Sequence, residues 1–157
     1  MAFPLATYYI KELPLIERLK DAIIKGITLN NSQSYNTNVY GQMTSYMYFL
    51  EEEKNLFNQV TKMLPKIKYL DAWGNMYSKG NFCKKHSHGD EDVNISGIMY
   101  LDNTLPGTYF NRQDIEIKPE PGKIILFSSR EEHEVRYMEE DKERYTISFN
   151  GVKNNEC

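Results

Sequence analysis

The sequence predicts a mostly β fold, a sandwich, jelly roll or small barrel, with two helices packed on one sheet. Three observations carry this. From about residue 67 onward, eight short strand-like runs alternate with turn signals at the spacing of an all-β domain. Twelve tyrosines and clusters of Val, Ile and Phe favour extended chain. In "RYTISFN", Tyr145, Ile147 and Phe149 share one face of a strand, and Arg144, Thr146, Ser148 and Asn150 share the other. So polar a face is not ordinary core; it meets solvent or lines a pocket.

Along the chain, "LATYYI" reads as a short strand. "LPLIERLKDAIIKG" reads as a helix over 15–25, with Leu15, Ile16, Leu19, Ile23 and Ile24 at helical spacing and Gly26 as its stop. Residues 29–45 are rich in Asn, Ser, Thr and Tyr without a clear period and read as loop or irregular edge. "FLEEEKNLFNQVTKMLP" predicts a second helix over 51–64, with acids in its first turn and Pro65 closing it. The strand runs follow: "IKYLDAWGNMY", "FCKKHSH", "ISGIMYL", "TYF", "DIEIKP", "KIILF", "HEVRY" and "RYTISFN". Turn-formers such as "SKGN", "DNTLPG" and "PEPG" separate them. Eight such strands divide naturally into two four-stranded sheets, with the helices on one outer face.

At 157 residues this is one domain with room for a real core: residues 1–66 carry the N-terminal strand and helices, and 67–150 the β core. A hydrophobic fraction of 40% excludes a disordered chain, and a net charge of −3 gives no electrostatic case for nucleic-acid binding. Two cysteines, Cys83 and Cys157, make no disulfide framework, so a reducing cytoplasm is expected. "MAFPLATYYIKELP" lacks the features of a signal peptide, and no apolar run approaches transmembrane length.

The chemistry concentrates in "FCKKHSHGD", where two of the three histidines stand one residue apart. Residues i and i+2 on a strand point to the same side, so His86 and His88 can reach one ion, with His133 on a later strand. Imidazole suits first-row transition metals, and a site with two or three protein ligands and open positions suits a catalytic iron. Asp90, in an H-x-D pattern with His88, offers a second register, His88/Asp90/His133. Metal affinity is expected to fall as pH drops through the histidine range near about 6.5. Cys83 is expected to point away from His86 and lie buried, and Trp73 and Phe127 to serve as packing residues.

"NMYSKGNFCKKHSH", "ISGIMYLDN", "PEPGKIILFSSREEHEV" and "ERYTISFN" resemble successive motifs of the 2-oxoglutarate- and iron(II)-dependent oxygenases. The closest likeness is to a small branch with H-x-H in place of H-x-D, found in bacteria and phages. The resemblance covers about residues 73–150 and implies a double-stranded β-helix, the eight-stranded, cupin-like jelly roll. The family's Y-x-x-G element falls on Tyr77 and Gly80, which makes His86 the first ligand and puts His88 where the carboxylate normally sits.

The resemblance further implies Fe(II) and 2-oxoglutarate as cofactors, with the metal on His86, His88 and His133. Arg144 would take the distal carboxylate of 2-oxoglutarate, helped by Thr146, Tyr100 and Tyr77. A planar, permanently charged guanidinium suits that task. By alternation Glu132 and Glu134 point away from His133, so the chain offers Arg144 no fixed carboxylate. The implied reaction converts 2-oxoglutarate and oxygen to succinate and carbon dioxide while hydroxylating an amino-acid, peptidyl or small-metabolite C–H. Two other readings stand beside it. One is a cupin-like metal enzyme without 2-oxoglutarate, such as a thiol dioxygenase or isomerase; the other is a non-catalytic jelly-roll binding module. No membrane partner is expected, and a homodimer stays open.

Overall fold

The computed structural model describes residues 3–29, 39–88 and 92–154. Asp90 therefore lies outside the described residues, as does Cys157. Eleven strands and two helices follow in the order β1 (Ala6–Tyr9), α1 (Leu13–Leu29), β2 (Val39–Tyr40), β3 (Gln42–Met43), α2 (Lys54–Thr61), β4 (Lys68–Tyr77), β5 (Phe82–His86), β6 (Ile95–Tyr100), β7 (Thr108–Phe110), β8 (Ile115–Ile117), β9 (Lys123–Ser128), β10 (His133–Val135) and β11 (Arg144–Val152). The strands form two antiparallel sheets, β1-β9-β6-β11-β4-β3 and β2-β5-β10-β7-β8. The eight strands expected beyond residue 67 make the two four-stranded halves of the jelly roll, β9-β6-β11-β4 and β5-β10-β7-β8. The three short N-terminal strands extend their edges. Two of these, β2 and β3, come from the segment that lacks a period in the sequence. At two residues each they are too short to show one.

Both helices belong to the outer face of the six-stranded sheet. Leu19 and Ile23 of α1 and Phe57 and Val60 of α2 share one buried cluster with Ala72, Ile147 and Phe149. Ile24 is 46% exposed, because the buried stripe of α1 passes through Leu15, Leu19, Ala22, Ile23 and Gly26 instead. Gly26 does not stop the helix, which continues to Leu29. A Cβ at Gly26 would lie 2.6 Å from Thr44 Cγ2 and 2.7 Å from the Tyr48 ring, so the glycine admits a close neighbour rather than ending a helix. The same tyrosine donates a 2.6 Å hydrogen bond to the carbonyl of Ala22. The acids Glu51–Glu53 lie in turns before α2 rather than in its first turn.

The inner faces of the two sheets enclose a second, smaller apolar cluster of Ile98, Tyr100, Phe110, Ile125 and Phe127, beside a polar cleft. Between β4 and β5, Gly80 adopts φ +91°, a left-handed conformation that favours glycine, and its N–H bonds the carbonyl of Met138. This tight return starts β5 directly after β4. No helix among the described residues is long and apolar enough to cross a membrane.

Candidate active site

The three histidines come from the five-stranded sheet. His133 on β10 stands directly opposite His86 on β5. His88 lies just beyond β5, where its backbone N–H bonds the carbonyl of Ser129 at 2.7 Å. One nitrogen from each ring lies within 4.8 Å of the other two, close enough to surround a single ion. The Nδ1–H of His86 donates to the carbonyl of Lys84 (2.7 Å) and that of His133 to the carbonyl of Glu131 (3.0 Å). A carbonyl only accepts, so both rings keep a lone pair on Nε2, the tautomer a metal requires.

The site's electrostatics hold these rings neutral. Burial lowers the pKa of His86, and burial reinforced by His86 pushes His88 down to about 4. His133 is pushed down to about 3, by burial first and then by repulsion from His86. Proton competition for a metal therefore sets in well below the value near 6.5 of a solvated histidine, which corrects the expectation from sequence.

The strand register also corrects the placement of Cys83. His133 pairs with His86 but Val135 pairs with Cys83, so β5 spends three residues where β10 spends two. This bulge places two exposed lysines, Lys84 and Lys85, in succession and reverses the alternation beyond them. Cys83 therefore turns into the same cleft as His86, with Sγ 3.6 Å from His86 Nδ1. Burial pushes its thiol up to about 11, so it stays protonated.

Across the cleft, β11 contributes the polar face anticipated from its alternation. Arg144 is 2% exposed; its Nε donates to the carbonyl of Pro106 at 2.8 Å, and its Nη2 has no partner. Its guanidinium carbon lies 5.6 Å from the centre of the Tyr77 ring and 5.8 Å from that of Tyr100. No carboxylate among the described residues pairs with it, and Glu134 is turned to Arg136 instead. Asn75 Nδ2 donates to the hydroxyls of Thr146 and Ser148, while its Oδ1 accepts from Trp73 Nε1. With its oxygen accepting from Asn75, the Thr146 hydroxyl keeps its own proton free to donate.

His86, His88, His133, Tyr77, Arg144 and Thr146 thus line one cleft. Tyr100 stands behind the wall: its hydroxyl donates at 2.6 Å to Thr108, and Thr108 lines the cleft. Trp73 and Phe127, expected as packing residues, also form wall. Their rings lie 6.5 Å from His88 and 5.2 Å from His133, respectively. Sequence reasoning missed Thr108, Ser96 and the Pro106 carbonyl. Strand pairing brings Ser96 to β11, while the packing of the two sheets brings Thr108 and the connection that carries Pro106; no local pattern carries that information.

Residues 103–150 match a family model described as "Putative 2OG-Fe(II) oxygenase". The matched segment contains His133, Arg144 and Thr146 and stops short of His86 and His88. No curated protein matches the sequence. Among solved structures, a collagen prolyl hydroxylase of Paramecium Bursaria Chlorella virus-1, in complex with 2-oxoglutarate, is similar at TM-score 0.62 and 16% identity, over 92% of this chain and 94% of that one. A Pseudomonas putida prolyl-4-hydroxylase is similar at TM-score 0.62 and 15% identity, over 95% and 92%. The α-ketoglutarate-dependent carbocyclase SnoK of nogalamycin biosynthesis reaches TM-score 0.66 at 7% identity, over 90% and 76%. The fold is the jelly roll of these viral and bacterial enzymes. Fold and matched segment together support a 2-oxoglutarate-dependent non-haem iron oxygenase, an oxidoreductase, and the three histidines could bind its iron.

Proposed function

We propose that this chain, acting as one unit over residues 1–157, is a 2-oxoglutarate- and Fe(II)-dependent dioxygenase that hydroxylates an amino-acid, peptidyl or small-metabolite C–H. His86, His88 and His133 would hold the iron and Arg144 the cosubstrate. One observation carries the reading: a buried guanidinium with an unpartnered nitrogen shares a cleft with three neutral, converging imidazoles. A buried cation without a counter-charge is costly, and a carboxylate delivered by the cosubstrate relieves that cost. The donor set fits iron(II), since three neutral nitrogen ligands leave coordination positions open for a chelating cosubstrate and oxygen. When bound, the metal supplies the oxidising chemistry that turns 2-oxoglutarate and oxygen into succinate, carbon dioxide and hydroxylated product.

The chain's own residues bind, orient and exclude water. Arg144, fixed through Nε to Pro106, presents Nη2 to the distal carboxylate, and the free proton of Thr146 adds a second donor. Tyr77 and Tyr100 enclose the guanidinium with their rings and keep water from it. The carbonyls of Lys84 and Glu131 hold two of the metal-binding rings in register. A set of three histidines also suits a cupin-like metal enzyme without 2-oxoglutarate. One anaerobic titration with iron(II) and 2-oxoglutarate separates the readings. The oxygenase shows a weak visible charge-transfer band when the cosubstrate chelates the iron; metal binding without that band would sink this proposal.

A further inference from the structure

The polar face of β11 has unlike charges near its two ends. Arg144 occupies one end of the polar face of β11 and Asn150 the other, six residues and about 20 Å of extended strand away. At the Asn150 end lies Asp71, paired across to Asn150 on β4. Asp71 Oδ1 accepts from both the backbone N–H and the side-chain amide of Asn150, and Asn150 Oδ1 accepts from Ser96. Asp71 Oδ2 receives no hydrogen bond from the described residues, and no lysine or arginine among them pairs with this half-buried carboxylate. Two aromatic rings stand beside it. Trp73 lies two residues along β4 on the same face, between Asp71 and His88, and Tyr46 meets the Trp73 ring edge-on at 5.0 Å. Tyr46 is tied to the same place because its carbonyl accepts from the N–H of Ala72.

A carboxylate with a free oxygen beside two electron-rich rings is the arrangement that recognises an organic cation. We infer that Asp71, Tyr46 and Trp73 form a subsite for an ammonium group of the substrate, of the lysine side-chain type. This rests on the oxygenase reading above and names its substrate class. Trp73 and Asn150 line the cleft, and Asp71 bonds Asn150 just past that lining. The substrate's cation goes to this end, while the cosubstrate's carboxylate goes to the arginine end. Burial raises the Asp71 carboxyl pKa, and an ammonium seated against it would draw that value back down.

Trp73 is the only tryptophan in the chain, so its fluorescence reports this subsite without any turnover. The full chain is titrated, metal-free and then with iron(II) and 2-oxoglutarate under anaerobic conditions, using Nα-acetyl-lysine methylamide and its uncharged Nε-acetyl counterpart. The charged probe should shift Trp73 emission saturably and bind at least tenfold tighter than the neutral one. Asp71→Asn keeps the acceptor Oδ1 and removes only the charge; it should abolish that preference and leave the charge-transfer band intact. Tyr46→Leu, at a 43% exposed position, should weaken the charged probe severalfold. Equal binding of the two probes, no saturable shift, or an unchanged preference in Asp71→Asn overturns the subsite. Loss of the charge-transfer band in the unmodified chain overturns the oxygenase reading instead.

Discussion

Strand β11 looks in two directions, and its two faces obey different rules. Outward, Ile147 and Phe149 are 0% and 1% exposed and pack under both helices, with Phe149 edge-on to Phe57 at 5.9 Å. Inward, Arg144, Thr146 and Asn150 are buried almost as deeply, yet among polar partners and with an unsatisfied donor. Depth of burial is the same; what it does for the molecule is not. The outer face converts apolar area into stability. The inner face carries a desolvated cation and looks across at three desolvated imidazoles of the other sheet, groups whose burial detracts from stability until a ligand arrives. Substitutions on the two faces should therefore separate folding from binding.

The largest separation should come from His133→Ala. It removes one of the three candidate ligands, so iron(II) affinity should fall more than about 100-fold, beyond the 10–100-fold of disturbing a ligand's own partner. The metal-free fold should keep its denaturation midpoint. Retention of tight iron binding, measured by calorimetry, would point to a register using Asp90. Phe149→Ala does the reverse: it should cost about 3–5 kcal/mol in denaturant unfolding, the range for a fully buried phenylalanine. Iron binding should survive wherever the variant remains folded.

Arg144→Ala tests the inner face at its cation. Affinity for 2-oxoglutarate should fall by at least about 2 kcal/mol, with iron binding retained. The unliganded fold loses the Nε bond to Pro106 but also a desolvated cation, and these two effects oppose each other in its stability. Arg144→Lys should restore only part of the affinity, since an ammonium lacks the two-pronged geometry. If succinate formation in the alanine variant shows an unchanged Michaelis constant, the arginine is structural.

The smallest effect is a slope against pH. His133 titrates near 6.5 when unfolded and near 3 when folded, so between these values the unfolded chain binds more protons. Stability of the metal-free protein should therefore fall as pH drops below about 6.5, by roughly 1.4 kcal/mol per pH unit from this residue. His133→Gln should reduce the measured slope by that amount, with the part due to His86 and His88 remaining, while Phe149→Ala leaves it unchanged, as denaturant titrations at pH 7 and pH 5 would read.

Strand periodicity, the helix pattern around Leu19 and Ile23, and the polar face from Arg144 to Asn150 were all legible in the amino-acid order, because backbone geometry repeats every two or 3.6 residues whatever the chain later meets. So was the convergence of three histidines, once their strands were placed in one jelly roll. Other features depended on which strand lies beside which. A bulge opposite Glu134 turned Cys83 into the cleft against the local alternation. Close packing by Tyr48 carried the helix through Gly26. Asp71, unremarkable in "YLDAWG", came to face Asn150, itself bonded by Ser96, only through the pairing of β4, β11 and β6. The depressed histidine pKa values have the same origin, since desolvation is set by everything that closes over a side chain. Local order determines which way a residue can point; the tertiary structure alone decides what it then meets.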